Sequence, residues 1–223
     1  MNRCCSIRSG RSAVPVVLLV LCGAPAGQTP PPTDVAKRIV DAAIERTAHR
    51  VAYDGGYRSI DYPGGDVPDD VGVCTDVVVR SYRSAGIDLQ KEVHEDMAGD
   101  FSAYPRIWGL DRPDPNIDHR RVPNLQTFFR RRGAALEDGD DPARYRPGDL
   151  VTWMLPGHLP HIGIVVDRRS ADGLRPLIVH NIGQGPQLED VLFAFPITGH
   201  YRYPIRPETD NRPPGEAGPP PSP

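Results

Sequence analysis

Three side chains spaced far apart in the chain have the types that thiol chemistry needs: Cys74, His161 and His180. The chain has four cysteines, and the other three (Cys4, Cys5 and Cys22) fall in an N-terminal segment with the features of a removable export signal. A mature chain with one cysteine has no internal disulfide, and a lone thiol outside the cytosol is exposed to oxidation and exchange. An isolated cysteine commonly serves as a small buried hydrophobe. Its neighbours here argue for a nucleophile instead. A thiol nucleophile needs an imidazole to take its proton and later to protonate the leaving amine. That imidazole needs a third polar group to fix its tautomer and orientation.

The elements that must position these groups follow from local pattern. Downstream of Cys74, the apolar residues Val77, Val78, Tyr82 and Ala85 recur at helical spacing, and Gly86 is a natural stop. Asp76 and Arg80 form an i,i+4 pair of favourable orientation. The β-branched run Val77-Val78-Val79 would suit a strand. Gly86, and the placement of Arg80 and Arg83 away from the valine stripe, decide for a helix. Cys74 then sits in its first turn, where free N–H groups and the macrodipole favour a thiolate. The second half reads as strands: Leu150–Met154, His161–Val166, Pro176–His180, Val191–Phe195 and His200–Tyr203. Short strands separated by turn residues imply an antiparallel sheet or small barrel. Helices first and strands after give the α+β class.

The rest of the chain frames this core. Residues 1–26 read as a signal peptide, with Arg3, Arg8 and Arg11, a short apolar run from Val14 to Leu21, and Ala24-Pro25-Ala26 for cleavage. The expected location is the periplasm or the extracellular space, with no membrane span after processing. A lipoprotein with Cys22 lipidated and a retained anchor are the alternatives. A Pro-rich linker over 27–33 precedes one domain over 34–204, and a Pro-rich tail over 205–223 reads as disordered. Within the domain, Asp34–Arg50 is an amphipathic helix and Tyr53–Asp70 a turn-rich loop of the kind that carries binding groups. Val93–Met97 and Val122–Arg132 are further helices, and His94 and His119 read as structural or surface histidines. A formal net charge of −3 argues against a nucleic-acid partner.

A helix carrying Cys74 packed across a sheet carrying His161 is the papain-like arrangement. The segment Cys74 through Ile87, ending Ser84-Ala85-Gly86-Ile87, resembles the nucleophile helix of the NlpC family of cell-wall cysteine peptidases. Pro147-Gly148-Asp149-Leu150-Val151 and His161-Ile162-Gly163-Ile164-Val165 are similar to that family's strand and histidine motifs. A closer resemblance is to an uncharacterised bacterial family, number 1287 among domains of unknown function. It is carried by Tyr62-Pro63-Gly64-Gly65-Asp66, Gly72-Val73-Cys74-Thr75-Asp76, Asp114 through Arg121, and His180-Asn181-Ile182-Gly183, and it covers about Asp34 to Tyr203.

The resemblance implies a papain-like α+β hydrolase that needs no cofactor and no metal, with peptidoglycan or a peptide as substrate. It implies Cys74 as nucleophile, His161 as base and His180 as the third polar residue, with Asn181 beside it. It also implies Tyr62 as the upstream tyrosine facing the site. Tyr62, Asp76 and Asn181 are thus assigned to substrate contact. Thr75-Asp76 stands where the peptidases usually carry Ser-Gly, and the segment between helix and sheet is longer. Three other readings fit the same residues. One is a zinc site of His158, His161, His180 and Cys74. Another is a cell-wall binding module without turnover. The third is an acyltransferase or thioesterase on the same scaffold.

Overall fold

The computed structural model describes residues 32–204. The expected export signal, most of the Pro-rich linker and the tail lie outside the described residues. The last two linker residues already belong to the first helix, α1 (Pro32–Arg46), which ends short of Arg50. Ile39, Val40 and Ala43 of its apolar stripe are buried. A two-residue strand β1 (Ala52–Tyr53) pairs in parallel with β2 (Val71–Gly72), and the turn-rich loop runs between them. Three helices follow: α2 (Cys74–Ser84), α3 (Leu89–Gly99) and α4 (Val122–Arg131).

α2 is helical despite its valine run because tertiary burial overrides propensity. Every residue from Cys74 to Tyr82 is buried, Arg80 included. Arg80 does not pair with Asp76 as i,i+4 spacing suggests. Its guanidinium donates to Asp66 Oδ2 and to the carbonyls of Val67 and Pro68, at 2.9–3.1 Å. The face away from the valine stripe is therefore covered by the Gly65–Pro68 stretch of the long loop, whose Asp66 also accepts from Arg83.

The C-terminal half forms β3 (Ala135–Leu136), β4 (Leu150–Leu155), β5 (Leu159–Arg169), β6 (Pro176–His180), β7 (Gln187–Glu189) and β8 (Ile197–Tyr201). They make one antiparallel sheet in the order β3-β8-β4-β5-β6-β7. The sheet is open, with β3 and β7 as its edges, and does not close into a barrel. The expected strand at Val191–Phe195 is instead a turn, and the strand falls earlier, at β7. Leu192 in that turn packs against the sheet, and its carbonyl accepts from Trp153 Nε1 at 2.9 Å.

The sheet is buried on both faces, which explains the near-continuous apolar runs of β4 and β5. On one face Ile162, Ile164 and Val179 meet α1, α2 and α4, with Leu125, Phe128 and Phe129 filling the space between. Full burial of each such side chain is worth roughly 1.5–3 kcal/mol. On the other face Val151, Trp153, Val165, Ile178 and Leu192 form a second cluster. No helix among the described residues is long and apolar enough to cross a membrane.

The Pro147-Gly148-Asp149 turn that opens β4 has a structural task. Gly148 adopts φ +90°, and a side chain there would meet Ala36 of α1 at 3.1 Å. Asp149 is 1% exposed. Its carboxylate accepts from His200 Nε2 at 2.8 Å, from Nε and Nη2 of Arg202 at 2.7 Å each, and from the Arg146 N–H at 2.8 Å. Burial works against its charge, but these donors outweigh it and hold the carboxyl below its ordinary pKa. Asp149→Ala leaves the buried donors unpaired, and urea unfolding should show a loss of about 3–5 kcal/mol. A loss under about 1 kcal/mol, the size of an exposed pair, would contradict this role.

Candidate active site

The start of α2 is fixed by a buried ion pair. Val73 is the residue before the helix, and its N–H donates to Asp76 Oδ2 at 2.7 Å. The other partner of that carboxylate is Arg120, 44 residues on, in a short 3-10 turn (Asp118–Arg120). Arg120 grips it at two points, Nε to Oδ1 at 2.8 Å and Nη2 to Oδ2 at 2.9 Å. The two side chains are only 2% and 4% exposed. The same guanidinium donates to the carbonyls of Asp54 and Gly56, and the Arg120 carbonyl accepts from Thr75 Oγ1. One cation thus joins the helix start, the long loop and the segment before α4.

Cys74 is the free cysteine of the described residues and is 4% exposed. Its sulfur lies against the backbone N–H of Ile162, the residue after His161, and against the N–H groups of Thr75 and of Cys74 itself. The Tyr53 hydroxyl is near enough for Cys74 to shift its titration. Tyr53 is brought there by the β1–β2 pairing, which aligns it with Gly72 just before the helix. Burial, Cys74 and Asp76 together push the Tyr53 hydroxyl up to about 12, so it is a donor at neutral pH.

The two imidazoles and a carboxylate stand in line across three strands. His161 on β5 lies opposite Trp153 on β4, whose ring is tilted against it at 5.8 Å between centroids. His161 Nε2 is 3.1 Å from His180 Nδ1 on β6. His180 Nε2 is in turn 2.9 Å from a carboxylate oxygen of Glu189 on β7. Gly163 lets the two strands close up, since any Cβ there would strike Ile178 at 2.6 Å and His180 at 3.1 Å. Burial, with His180 second, pulls the His161 imidazole down to about 3. Burial pushes the Cys74 thiol up to about 11, against the three N–H groups around it. Thiol and imidazole are therefore both neutral at rest. The expectation of a resting thiolate at the helix start is overturned, because desolvation of the sulfur outweighs the dipole of one helix end.

His161 and His180 are thus brought together on the sheet face of Trp153, Val165 and Ile178, whereas Cys74 packs with the α2 face, its sulfur reaching the Ile162 backbone and making no hydrogen bond to either imidazole. The three residues assigned to substrate contact are placed differently. Tyr62 is edge-on to His94 of α3, with Glu95 and Asp88 as its charged neighbours. The tyrosine at the thiol is Tyr53. Asp76 is buried and committed to Arg120 and the helix start, so it positions the nucleophile from behind. Asn181 is fully buried, with its carboxamide 3.5 Å from the Gly72 carbonyl and accepting from the Gly183 N–H. It ties the end of β6 to the approach of α2. His158 of the alternative zinc set sits on the exposed β4–β5 hairpin at φ 59°. Among the described residues no three His, Cys, Asp or Glu side chains are grouped to hold a metal ion.

Sequence reasoning missed Tyr53, Arg120 and Glu189. Arg120 lies within the Asp114–Arg121 motif, so its position was visible but its partner was not. Tyr53 opens the long loop and carried no local signal beyond being an aromatic upstream of Cys74.

Two comparisons bear on the chain. The profile of the family described as "Domain of unknown function (DUF1287)" matches residues 40–203. An Escherichia coli (strain K12) protein, "Uncharacterized protein YijF", is 52% identical over 165 residues, covering 74% of this chain and 80% of the relative.

The site geometry makes two predictions. Alkylation of Cys74 by iodoacetamide should be slow at pH 8 and rise to an inflection near pH 11, about two units above the ordinary thiol. An inflection below pH 8 would mark a resting thiolate–imidazolium pair instead. Acid should also destabilise the fold through its buried imidazoles. Burial first, then Arg120 and Arg83, pulls His119 down to about 4, and His161 stands near 3. Below the ordinary value of 6.5 the unfolded chain binds protons that the folded one refuses. Stability should thus fall as pH drops from about 6.5 to 4, by up to about 1.4 kcal/mol per unit for each imidazole. His119→Asn should flatten that slope in urea titrations at pH 7 and 4.5. An unchanged slope would show that His119 carries none of it.

Proposed function

Because the chain belongs to the DUF1287 family, whose description carries no activity, the reaction must be read from the site, and we propose an exported thiol hydrolase of papain-like architecture. Its substrate is an amide bond in the peptide stems of bacterial peptidoglycan. The observation that carries this reading is the placement of the Cys74 sulfur. It lies in the first turn of α2, against the backbone beside His161, with the Tyr53 hydroxyl nearby.

The chemistry starts from a neutral pair. His161 takes the thiol proton as the sulfur attacks the amide carbonyl, so charge develops only along the reaction path. The tetrahedral oxyanion is met by the Cys74 N–H, which the helix leaves free, and by the Tyr53 hydroxyl in place of Tyr62. His161 then gives its proton to the leaving amine, and water hydrolyses the acyl-enzyme with His161 as base. His180 holds His161 at Nε2, which leaves Nδ1 for the thiol proton.

The walls support a polar, extended substrate. The Tyr53–Asp70 loop is laced to the segment before α4. The Ile60 N–H donates to Asn116 Oδ1, Asn116 Nδ2 donates to the Tyr57 hydroxyl, and Arg120 donates to two loop carbonyls. Trp108 adds a stacked guanidinium, Arg121, at 4.1 Å from its ring. Such charged, turn-rich walls suit a zwitterionic peptide better than an apolar acyl chain. The Arg-rich start and short apolar run of the N-terminal segment support export to where that polymer lies.

The test is incubation of the protein with purified muropeptides and with a short-chain thioester, with products identified by mass. Muropeptide cleavage is expected for wild type and for Tyr62→Phe, and none for Cys74→Ala or His161→Ala. Tyr53→Phe should lose about 10²–10³ in turnover, the usual cost of one oxyanion donor. Intact muropeptides with Cys74-dependent thioester cleavage would replace the peptidase by a thioesterase. Inertness toward both would remove the enzyme reading.

A further inference from the structure

We propose that Glu189 is a positioning residue that fixes the tautomers of His180 and His161, so that the basic nitrogen of His161 is the one left for the thiol. The inference rests on the thiol-hydrolase reading for its catalytic meaning, and on geometry and the neutrality of both rings for the tautomers.

The register supplies the placement. β6 and β7 pair with Ile178 opposite Glu189 and His180 opposite Gln187, so Glu189 is the diagonal neighbour of His180 on the same face. Its Oε2 lies 2.9 Å from His180 Nε2. The approach is too oblique to the ring N–H direction for an aligned hydrogen bond, and no group among the described residues makes one to that buried nitrogen, so Glu189 acts on it as a charge at close range. A ring lone pair facing a carboxylate oxygen at that distance would be repelled, so Nε2 carries the hydrogen. Burial lowers the His180 pKa, although Glu189 opposes it, and a neutral ring has only one N–H. His180 Nδ1 is then the lone-pair nitrogen.

That assignment propagates. Nδ1 of His180 stands 3.1 Å from His161 Nε2, and with a lone pair it can only accept. His161 Nε2 therefore carries the hydrogen. His161 is neutral as well, so its own lone pair is on Nδ1, the nitrogen not committed to His180. Without the carboxylate, His180 is free to carry its hydrogen on Nδ1 and donate to His161 Nε2. The His161 hydrogen then moves to Nδ1, and no base remains for the thiol. A wrong tautomer of this kind is what disables a histidine base when its orienting partner is lost. Glu189 is 45% exposed, so its hold is softer than that of a buried orienting carboxylate. Loss of an outer orienting partner of a histidine typically costs about 10–100-fold.

The experiment uses the full chain labelled with ¹⁵N-histidine, in wild type, Glu189→Ala and Glu189→Gln. In wild type, ¹⁵N spectra should show pyridine-type Nδ1 and pyrrole-type Nε2 for both His161 and His180. Glu189→Ala should shift both rings toward the opposite tautomer. Glu189→Gln, whose carboxamide oxygen keeps a partial negative charge facing Nε2, should keep more of the wild-type pattern. On muropeptides, Glu189→Ala should lose about 10–100-fold in kcat with KM little changed, and Glu189→Gln should fall between. Tautomers unmoved by Glu189→Ala would overturn the proposal, whatever the activity. An inactive wild type with the expected tautomer shift would instead sink the hydrolase reading and leave the positioning role of Glu189 standing.

Discussion

The site depends on one buried ion pair. The buried Asp76 carboxylate accepts from the Val73 N–H, and Arg120 is the cation paired with it there. Two charges leave water for this, and each costs several kcal/mol unless paired and fully hydrogen bonded. The pair meets that condition. Five contacts from Arg120, to Asp76 twice, to Asp54 and Gly56, and from Thr75 to its carbonyl, leave little freedom at the junction. The long loop, the first turn of α2 and the segment before α4 share this one anchor. The position of the sulfur and the path of the long loop are thereby set together.

A second constraint comes from the sheet. Three histidine-bearing or acid-bearing positions, His161, His180 and Glu189, sit on three successive antiparallel strands, and strand spacing places each within reach of the next. Gly163 is the residue that permits it, since a methyl group there would push β6 outward. Trp153, anchored by its indole N–H to the Leu192 carbonyl, closes the other flank of His161. Rigid strands rather than loops therefore hold the imidazoles.

Much of this was legible in the sequence where the cause is local. Gly86 ends α2, Leu125, Phe128 and Phe129 turn inward from α4, and alternation with turn residues gives β4 and β6 nearly to the residue and the middle of the longer β5. What escaped is set at a distance. Helical spacing pairs Asp76 with Arg80, but the partner that wins is 44 residues away, and Arg80 is drawn to Asp66 across the loop. Tyr62 has the more suggestive flanking glycines, yet β1–β2 pairing delivers Tyr53 to the sulfur, and a two-residue strand has almost no sequence signature. The 191–195 stretch is apolar enough for a strand, but it spends that apolarity capping the second core from a turn. The free edges of the sheet, which keep it from closing, depend on strand count and length that pattern alone does not fix.

The protonated state of Cys74 has a consequence for the protein's lifetime. Sulfur reacts with peroxide, with other thiols' disulfides and with electrophiles in its anionic form, and hardly at all as S–H. A sulfur that is 4% exposed and held as S–H carries its reactivity in latent form. In an oxidising surrounding it ages slowly, with no second cysteine among the described residues to shield it in a disulfide. Durability and slow background reactivity are then one property, both bought by the desolvation that keeps the proton on the sulfur.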